Sequence, residues 1–436
     1  MDWKKDYQRK LCSAEEALKV VKSGDRVVFA HACGEPVELV DALVARAPEL
    51  RHVEIVHMVA MGKGEYAKPQ YAESFFHNSL FTGASTRDAV NHGSGDYVPV
   101  FFHEIPGLFT RGYLPVDVAL VQLSPPDKHG FCSFGISVDY TKPCAEVAKT
   151  VIALVNPNMP RTHGDSFIHV SQLDYIVESE APLIELQPPK IGPVEEAIGR
   201  HIASLIDDGA CLQLGIGAIP DAVLAFLHEK NDLGIHTEMF SEGVVDLYHE
   251  GVVTNARKNL HRDKMVATFL MGTRRLYDFV DDNPMVNMFP VSYTNDPYVI
   301  GQIDNVVSIN SALQVDIMGQ VVADTMGPQQ YTGIGGQVDF VRGAARSKGG
   351  KAIIALPSTA KGGTVSRIVA KIAEGAAVTT MRADVDYVVT EHGIAHLKGK
   401  GLRDRARALI EIADPKFRDQ IREEVKELRG QGWLRD

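Results

Sequence analysis

The sequence predicts an α/β protein of two similar domains, each built around a mainly parallel sheet. Three observations carry this. Short apolar runs alternate with amphipathic segments along the whole chain, which is the pattern of repeated βα units. One helix–strand–loop–helix stretch occurs twice. A proline-rich segment divides the chain between the two occurrences.

The apolar runs come in order. "DRVVFA" (25–30), "HVEIVHMVA" (52–60), "VDVALVQLS" (116–124) and "KTVIALV" (149–155) read as buried strands of the first half. "CLQLGI" (211–216), "KMVATFLMG" (264–272), "KAIIALP" (351–357) and "VDYVVT" (385–390) read the same way in the second. The repeated stretch begins at Glu15, "EEALKVVKSGDRVVFAHACGEPVELVDAL", and again at Glu195, "EEAIGRHIASLIDDGACLQLGIGAIPDAVLAFL". Each reads as a helix stopped by glycine (Gly24, Gly209), a buried strand, a small-residue loop, and a helix entered near proline (Pro36, Pro220). The stopping glycines are 209 − 24 = 185 residues apart, a spacing that fits a duplicated domain. The alternative is that any two helix–strand–helix units share this outline. Between the copies, "APLIELQPPKIGP" (181–193) carries four prolines and marks a linker. The expected domains are therefore residues 1–185 and 190–436.

Bulk properties narrow the function. A chain of 436 residues exceeds one ordinary core. Hydrophobic residues at 45% and charged residues at 23% are ordinary for a soluble globular protein. A formal charge of -11 argues against nucleic acid, which wants an excess of Lys and Arg. Cys12, Cys33, Cys132, Cys144 and Cys211 form no CxxC pair, and no His cluster has metal-ligand spacing. They read as free thiols in a reducing compartment, with no metal site. The charged start "MDWKKDYQRK" is unlike a signal peptide. No run approaches the roughly 20 apolar residues a bilayer requires. A cytoplasmic protein without membrane partners is expected.

Several loops could carry chemistry. "LQLGIGAIPDAV" (212–223) leaves a strand and opens a helix, and Gly215 and Gly217 would let a ligand approach the backbone. It lacks a third glycine for a dinucleotide fingerprint, so a tight turn without ligand stays open. "YTGIGGQVDF" (331–340) either makes a bulge or clears room for a ligand. "PSTAKGGTVSRIV" places Lys361 in a Ser/Thr/Gly loop before an expected helix, where a lysine is ordinarily a solvated surface residue. In "SPPDKHGFCSFG" (124–135), His129 and Cys132 suggest a nucleophile, yet Pro, Asp and Gly in this order favour a plain turn. His31, in "FAHACGEP", lies at a strand end where open α/β sheets put ligands.

Two glutamates remain, four residues apart in "LGIHTEMFSEGVVDL" (233–247). Glu238 falls at the carboxyl end of a short strand, the usual place for chemistry in such sheets. Glu242 follows Ser241, a good N-cap, and as a first-turn acid favours the helix dipole. Glu238 is the stronger catalytic candidate; two solvated carboxylates are the alternative.

These segments together resemble the acetyl-CoA hydrolase/transferase family over nearly the whole chain. "FAHACGEP", "GKGEYAKPQY", "SPPDKHGFCSFG", "LQLGIGAIPDAV", "GIHTEMFSEGVVDL", "FLMGTRRLYDF", "GIGGQVDFVRGA" and "VVTEHGIAHLKGKGLRDRARALI" fit it in order. The resemblance implies two CoA-transferase-type α/β domains with the active site in the cleft between them. It implies that Glu238 is a covalent nucleophile, and that Gly215, Ile216, Gly217, Ala218, Ile219, Leu313, Gly336 and Lys361 bind CoA. His31 and Gln213 are implied as supporting residues. The departures are Glu242, where relatives often carry Asp, and His392, where many carry Tyr. The implied reaction moves CoA between a short-chain acyl-CoA, 4-hydroxybutyryl-CoA or butyryl-CoA, and a carboxylate such as acetate. Its substrates are CoA thioesters; no tightly bound cofactor or metal is implied, and a homodimer is the family expectation. Two other readings exist. One is an acyl-CoA hydrolase on the same scaffold, with Glu238 activating water. The other is a non-catalytic metabolite sensor, disfavoured by the lack of a helix-turn-helix or basic patch.

Overall fold

The computed structural model describes residues 2–434. The chain separates into two compact units, one of Met1–Gln187, Lys264–Asn295 and Gln330–Gly335, the other of Pro188–Asp263, Asp296–Gln329 and Gly336–Asp436. The changeover at 187/188 falls in the proline-rich segment. The second half does not then stay in one unit, which departs from the two uninterrupted domains expected.

In the first unit the strands are β1 (Arg26–Phe29), β2 (Val53–His57), β3 (Phe75–Ser79), β4 (Gly95–Tyr97), β5 (Val118–Leu123), β6 (Thr150–Val155) and β7 (Tyr175–Glu178). They form one sheet in the order β7-β6-β5-β1-β2-β3-β4, every neighbouring pair parallel. All six residues of β5 are buried, as continuous Val/Leu runs are when helices cover both faces. After β1 the chain turns into helix α1 (Val37–Ala45), whose N-cap is Pro36. "KMVATFLMG" does form a strand, Met265–Ala267, but not in a main sheet. It pairs with Val286–Met288, which pairs with His163–Gly164. That small sheet is what returns 264–295 to the first unit.

The second unit opens with helix α2 (Pro193–Ala203), then β8 (Cys211–Leu214) and α3 (Ala218–Leu224). It continues through β9 (Gly234–Ile235), α4 (Glu242–His249), β10 (Val306–Ser311), α5 (Gln337–Arg346), β11 (Lys351–Ala355), β12 (Tyr387–Thr390) and β13 (Gly393–His396). The sheet order is β9-β8-β10-β11-β12-β13, parallel except for the β12/β13 hairpin. β1 and β8 therefore hold matching places. Each pairs with the next strand of the chain on one side, and the chain later crosses over to pair on the other. That reversal is a topological switch point, and open α/β sheets bind ligands outside the carboxyl ends of the strands there.

Candidate active site

In the second unit the switch point lies between β8 and β10, so the loop leaving β8 is where a ligand is expected. That loop is Gly215-Ile216-Gly217. Gly217 has φ 126 and ψ 173, a conformation open essentially to glycine alone. Gly215 is glycine for another reason. Its φ is not in the left-handed region, and a Cβ built on it would meet no protein atom within 4 Å. Nothing in the chain forbids a side chain there, so the clearance lies on the side where something outside the chain would approach. Ala218 and Ile219 then begin α3, whose first amides have no intrahelical acceptor.

Glu238 follows β9, the strand beside β8, by three residues. From Leu233 to Ser241 every residue is buried except Glu238, which is half-exposed. The chain around it is pinned to β8. The His236 amide donates to Leu212 O at 3.2 Å. The Thr237 hydroxyl accepts from the Leu214 amide at 3.3 Å and lies 3.1 Å from Leu214 O and 2.8 Å from Met239 O. The carboxylate and the glycine loop therefore leave the sheet side by side, held by one buried threonine.

Glu242 is the first residue of α4, as expected. Ser241 takes the N-cap position but not the capping bond: its hydroxyl donates instead to Asp221 of α3 at 2.8 Å. The reason is electrostatic. Burial pushes the Asp221 carboxyl up, the Ser241 hydroxyl lowers it, and the nearby charge of Glu242 raises it further. A buried carboxylate facing another acid needs that donor more than the helix end does.

The other expected positions gather on the same edge. Leu313 follows β10, whose end also receives the Gln337 side-chain amide on Ser311 O at 2.6 Å. Gly336 is the N-cap of α5, immediately before Gln337. Lys361 follows β11, but the expected helix behind it is absent. Thr359–Ala360 and Val365–Ser366 pair antiparallel, and Lys361 sits at the hairpin tip with φ 49, followed by Gly362 at 65 and Gly363 at 86. Three successive positive φ values close a turn and cannot start a right-handed helix. Gln213 is buried in β8. Its Oε1 accepts from the Ile309 amide at 3.2 Å and Asn310 Nδ2 at 3.1 Å, so the side chain braces β8 against β10. Glu238, the start of 215–219 and Leu313 thus come within three residues of the ends of the adjacent strands β9, β8 and β10, while Gly336 caps the helix that leads into β11 and Lys361 lies at a hairpin tip beyond it.

Two glycines of "YTGIGGQVDF" have a packing cause. A Cβ on Gly333 would come within 2.9 Å of Phe81, and one on Gly335 within 3.2 Å. Both belong to the first unit and lie against Phe81, and Gly335 also has φ 57, which favours glycine by itself.

His31 belongs to the first unit, directly beyond β1 and so at that sheet's own switch point. Its amide donates to Ser137 Oγ at 3.0 Å. Its Nδ1 lies 3.4 Å from Asp139 Oδ2, both side chains fully buried. The rings of Phe102, Tyr140 and Phe269 enclose the imidazole, and Nε2 has no hydrogen-bond partner among the described residues. Four residues on, the buried Glu35 carboxylate accepts from the amides of Gly62 (2.8 Å) and Met61 (3.2 Å). Burial nevertheless pushes it up to about 7 from 4.5. An acid raised on folding stabilises the protein below its unfolded pKa and loses that contribution as pH rises through the folded one. Between pH 4.5 and about 7, wild type should therefore lose stability relative to Glu35→Gln, by roughly 3 kcal/mol over that window. Urea unfolding of both proteins at pH 5 and pH 8 checks this; a pH-independent difference would refute it.

The "SPPDKHGFCSFG" segment is the plain turn. Asp127 accepts from the amides of His129 (2.8 Å) and Phe131 (3.0 Å). Cys132 is buried with its thiol pushed up to about 12 by desolvation, so it stays a thiol. All five cysteines are free. Among the described residues no cluster of three His, Cys, Asp or Glu could hold a metal, and no helix is long and apolar enough to cross a membrane. Sequence reasoning missed Thr237, Asp221 and Asp139. Thr237 had a visible signal, a hydroxyl next to the favoured glutamate; the other two depend on tertiary contacts alone.

A half-exposed carboxylate beside a glycine loop at the switch point of a parallel sheet is the equipment of an acyl- or phosphate-handling α/β enzyme. Comparison with known proteins narrows the class. Residues 1–186 match the acetyl-CoA hydrolase/transferase N-terminal domain, and residues 272–425 the C-terminal domain of the same family. The chain is 63% identical to the 4-hydroxybutyrate coenzyme A transferase of Clostridium kluyveri, over 98% of this chain and 99% of that one. It is 42% identical to the butyryl-CoA:acetate CoA-transferase of Anaerostipes caccae, over 100% and 99%. The crystal structure of a 4-hydroxybutyrate CoA-transferase from Porphyromonas gingivalis superposes with a TM-score of 0.85 at 43% identity, over 98% and 100% of the two chains. The protein belongs to the acetyl-CoA hydrolase/transferase family, as its motifs had suggested.

Proposed function

We propose that the protein is a CoA-transferase that moves CoA between a short-chain acyl-CoA, 4-hydroxybutyryl-CoA or butyryl-CoA, and a carboxylate such as acetate. The observation that carries this is the placing of Glu238, a half-exposed carboxylate in a buried run, tied through Thr237 to the strand end that opens the Gly215–Gly217 loop. A Glu238 oxygen attacks the thioester carbonyl; the C–S bond breaks and leaves a mixed anhydride and CoA thiolate. The thiolate attacks the glutamyl carbonyl, the anhydride C–O bond breaks, and the first acid leaves as a carboxylate. An incoming carboxylate reverses both steps and departs as the new acyl-CoA. Every nucleophile and leaving group is an anion, so no proton is transferred and no redox or metal chemistry is called for. This is ping-pong covalent catalysis.

Each tetrahedral intermediate carries an oxyanion and needs preorganised donors, each worth about 10²–10³ in rate. The amides of Ile216, Gly217, Ala218 and Ile219 are the donors we assign, with Leu313, Gly336 and Lys361 completing the CoA contacts. Gln213 serves as the brace behind them, and His31 with Asp139 as a polar group of the first unit. A cytoplasmic homodimer belongs to the same proposal and rests on the family alone. The experiment is trapping: incubate with butyryl-CoA and no acceptor acid, reduce with borohydride, and map the modified peptide by mass spectrometry. Reduction of Glu238 to the alcohol is expected from a glutamyl-CoA thioester. Free CoA accumulating over an unmodified Glu238 would instead indicate a hydrolase.

A further inference from the structure

β9 is an edge strand two residues long, and it leads directly to Glu238. Its inward groups pair with β8: the Gly234 amide donates to Ala210 O at 2.9 Å and the His236 amide to Leu212 O at 3.2 Å. In a parallel ladder the residue between them, Ile235, turns its N–H and C=O outward, where a further strand would lie. Among the described residues no further strand pairs with it. A loop runs alongside from a bridge between Leu233 and Val253, and two of its side chains take the strand's place. Asn255 Oδ1 accepts from the Ile235 amide at 2.9 Å, and Lys258 Nζ donates to Ile235 O at 2.8 Å. Both side chains are buried. The Lys258 stem lies across Gly234, where a Cβ would come within 2.7 Å of its Cγ.

We propose that Lys258 is a positioning residue for Glu238: with Asn255 it clamps the outer edge of β9 and so fixes where the nucleophile emerges. The inference rests on the reading of Glu238 as that nucleophile. A buried ammonium is costly to keep, and burial pushes this one down to about 8. The Cys211 thiol of β8 and His261 of its own loop are among the groups that interact electrostatically with it. An apolar residue would fill the same space more cheaply but could not hold the Ile235 carbonyl. The inner side of the segment is already fixed by Thr237, so the clamp supplies the opposing hold.

The test uses Lys258→Met, which keeps the length and removes the donor, and Asn255→Gly, which suits that residue's φ of 59 and removes the acceptor. Single-turnover labelling of Glu238 with butyryl-CoA is measured against concentration, and deuterium uptake is followed in the 233–241 peptide. In Lys258→Met the maximal labelling rate should fall at least tenfold. The half-saturating butyryl-CoA concentration should stay within threefold, and uptake should rise in 233–241 alone. Asn255→Gly should show a smaller loss of the same kind, and it stands in if Lys258→Met fails to fold. A maximal rate within twofold of wild type in the folded variant, or unchanged uptake in 233–241, would overturn the proposal. Wild type that leaves Glu238 unlabelled would instead remove the assigned nucleophile, while the uptake data still judge the clamp.

Discussion

Glu238→Ala should abolish CoA transfer, with kcat falling on the order of 10⁴-fold or more, the scale seen when a covalent nucleophile is removed. No neighbour can substitute. Within 233–241 Glu238 alone reaches solvent. Of the acids near this segment, Asp221 is held by the Ser241 hydroxyl and feels Glu242 as a like charge. Glu242→Ala is the matched control. It removes a first-turn acid from α4 and relieves Asp221 of a like charge, effects that oppose each other within about 1 kcal/mol. Steady-state transfer from butyryl-CoA to acetate, with thermal melts of both variants, checks the pair. Comparable loss in two folded variants would undo the assignment.

Gly215→Ala should leave the fold intact and raise KM for butyryl-CoA by at least tenfold. The usual reasons for glycine do not apply: its backbone is not left-handed, and an added methyl would meet no protein atom within 4 Å. Stability should change by less than about 0.5 kcal/mol, as at an uncrowded surface site. A methyl in the path of a thioester or pantetheine chain would displace the ligand from the amides of 216–219. Gly217→Ala makes a poor substitute for this test, since at φ 126 it adds backbone strain of about 1–3 kcal/mol. Titration with butyryl-CoA and a urea melt separate binding from folding. An unchanged KM in Gly215→Ala would move the ligand away from this loop.

Much of this was readable from the chain. Buried strands announce themselves through runs such as "VDVALVQLS", and the duplicated stretch foretold that β1 and β8 would take matching places. The place of Glu238 beyond a short strand was legible as a local signal, although that strand ends at Ile235, three residues before it. The rest depends on distant partners. That Gly333 and Gly335 lie against Phe81, some 250 residues earlier, could not be read from the loop itself. Lys361 was placed before a helix because propensity cannot see three successive positive φ values. Ser241 looked like a cap because nothing in its neighbourhood reveals the buried acid that claims its hydroxyl. The strand Met265–Ala267 was recognised, but the link through Val286–Met288 to His163–Gly164 was not, and so the domain limits came out too simple.

That last pairing reaches into how the protein is made. The first unit takes in Lys264–Asn295 and Gln330–Gly335, so it cannot close when its first 187 residues have left the ribosome. It must wait for another 335 − 187 = 148 residues. At ordinary rates of synthesis that is roughly 7 to 30 s. For the first 288 − 187 = 101 of those residues the edge at His163–Gly164 is still missing its strand, and an unpaired edge is what chaperones guard against and aggregation exploits.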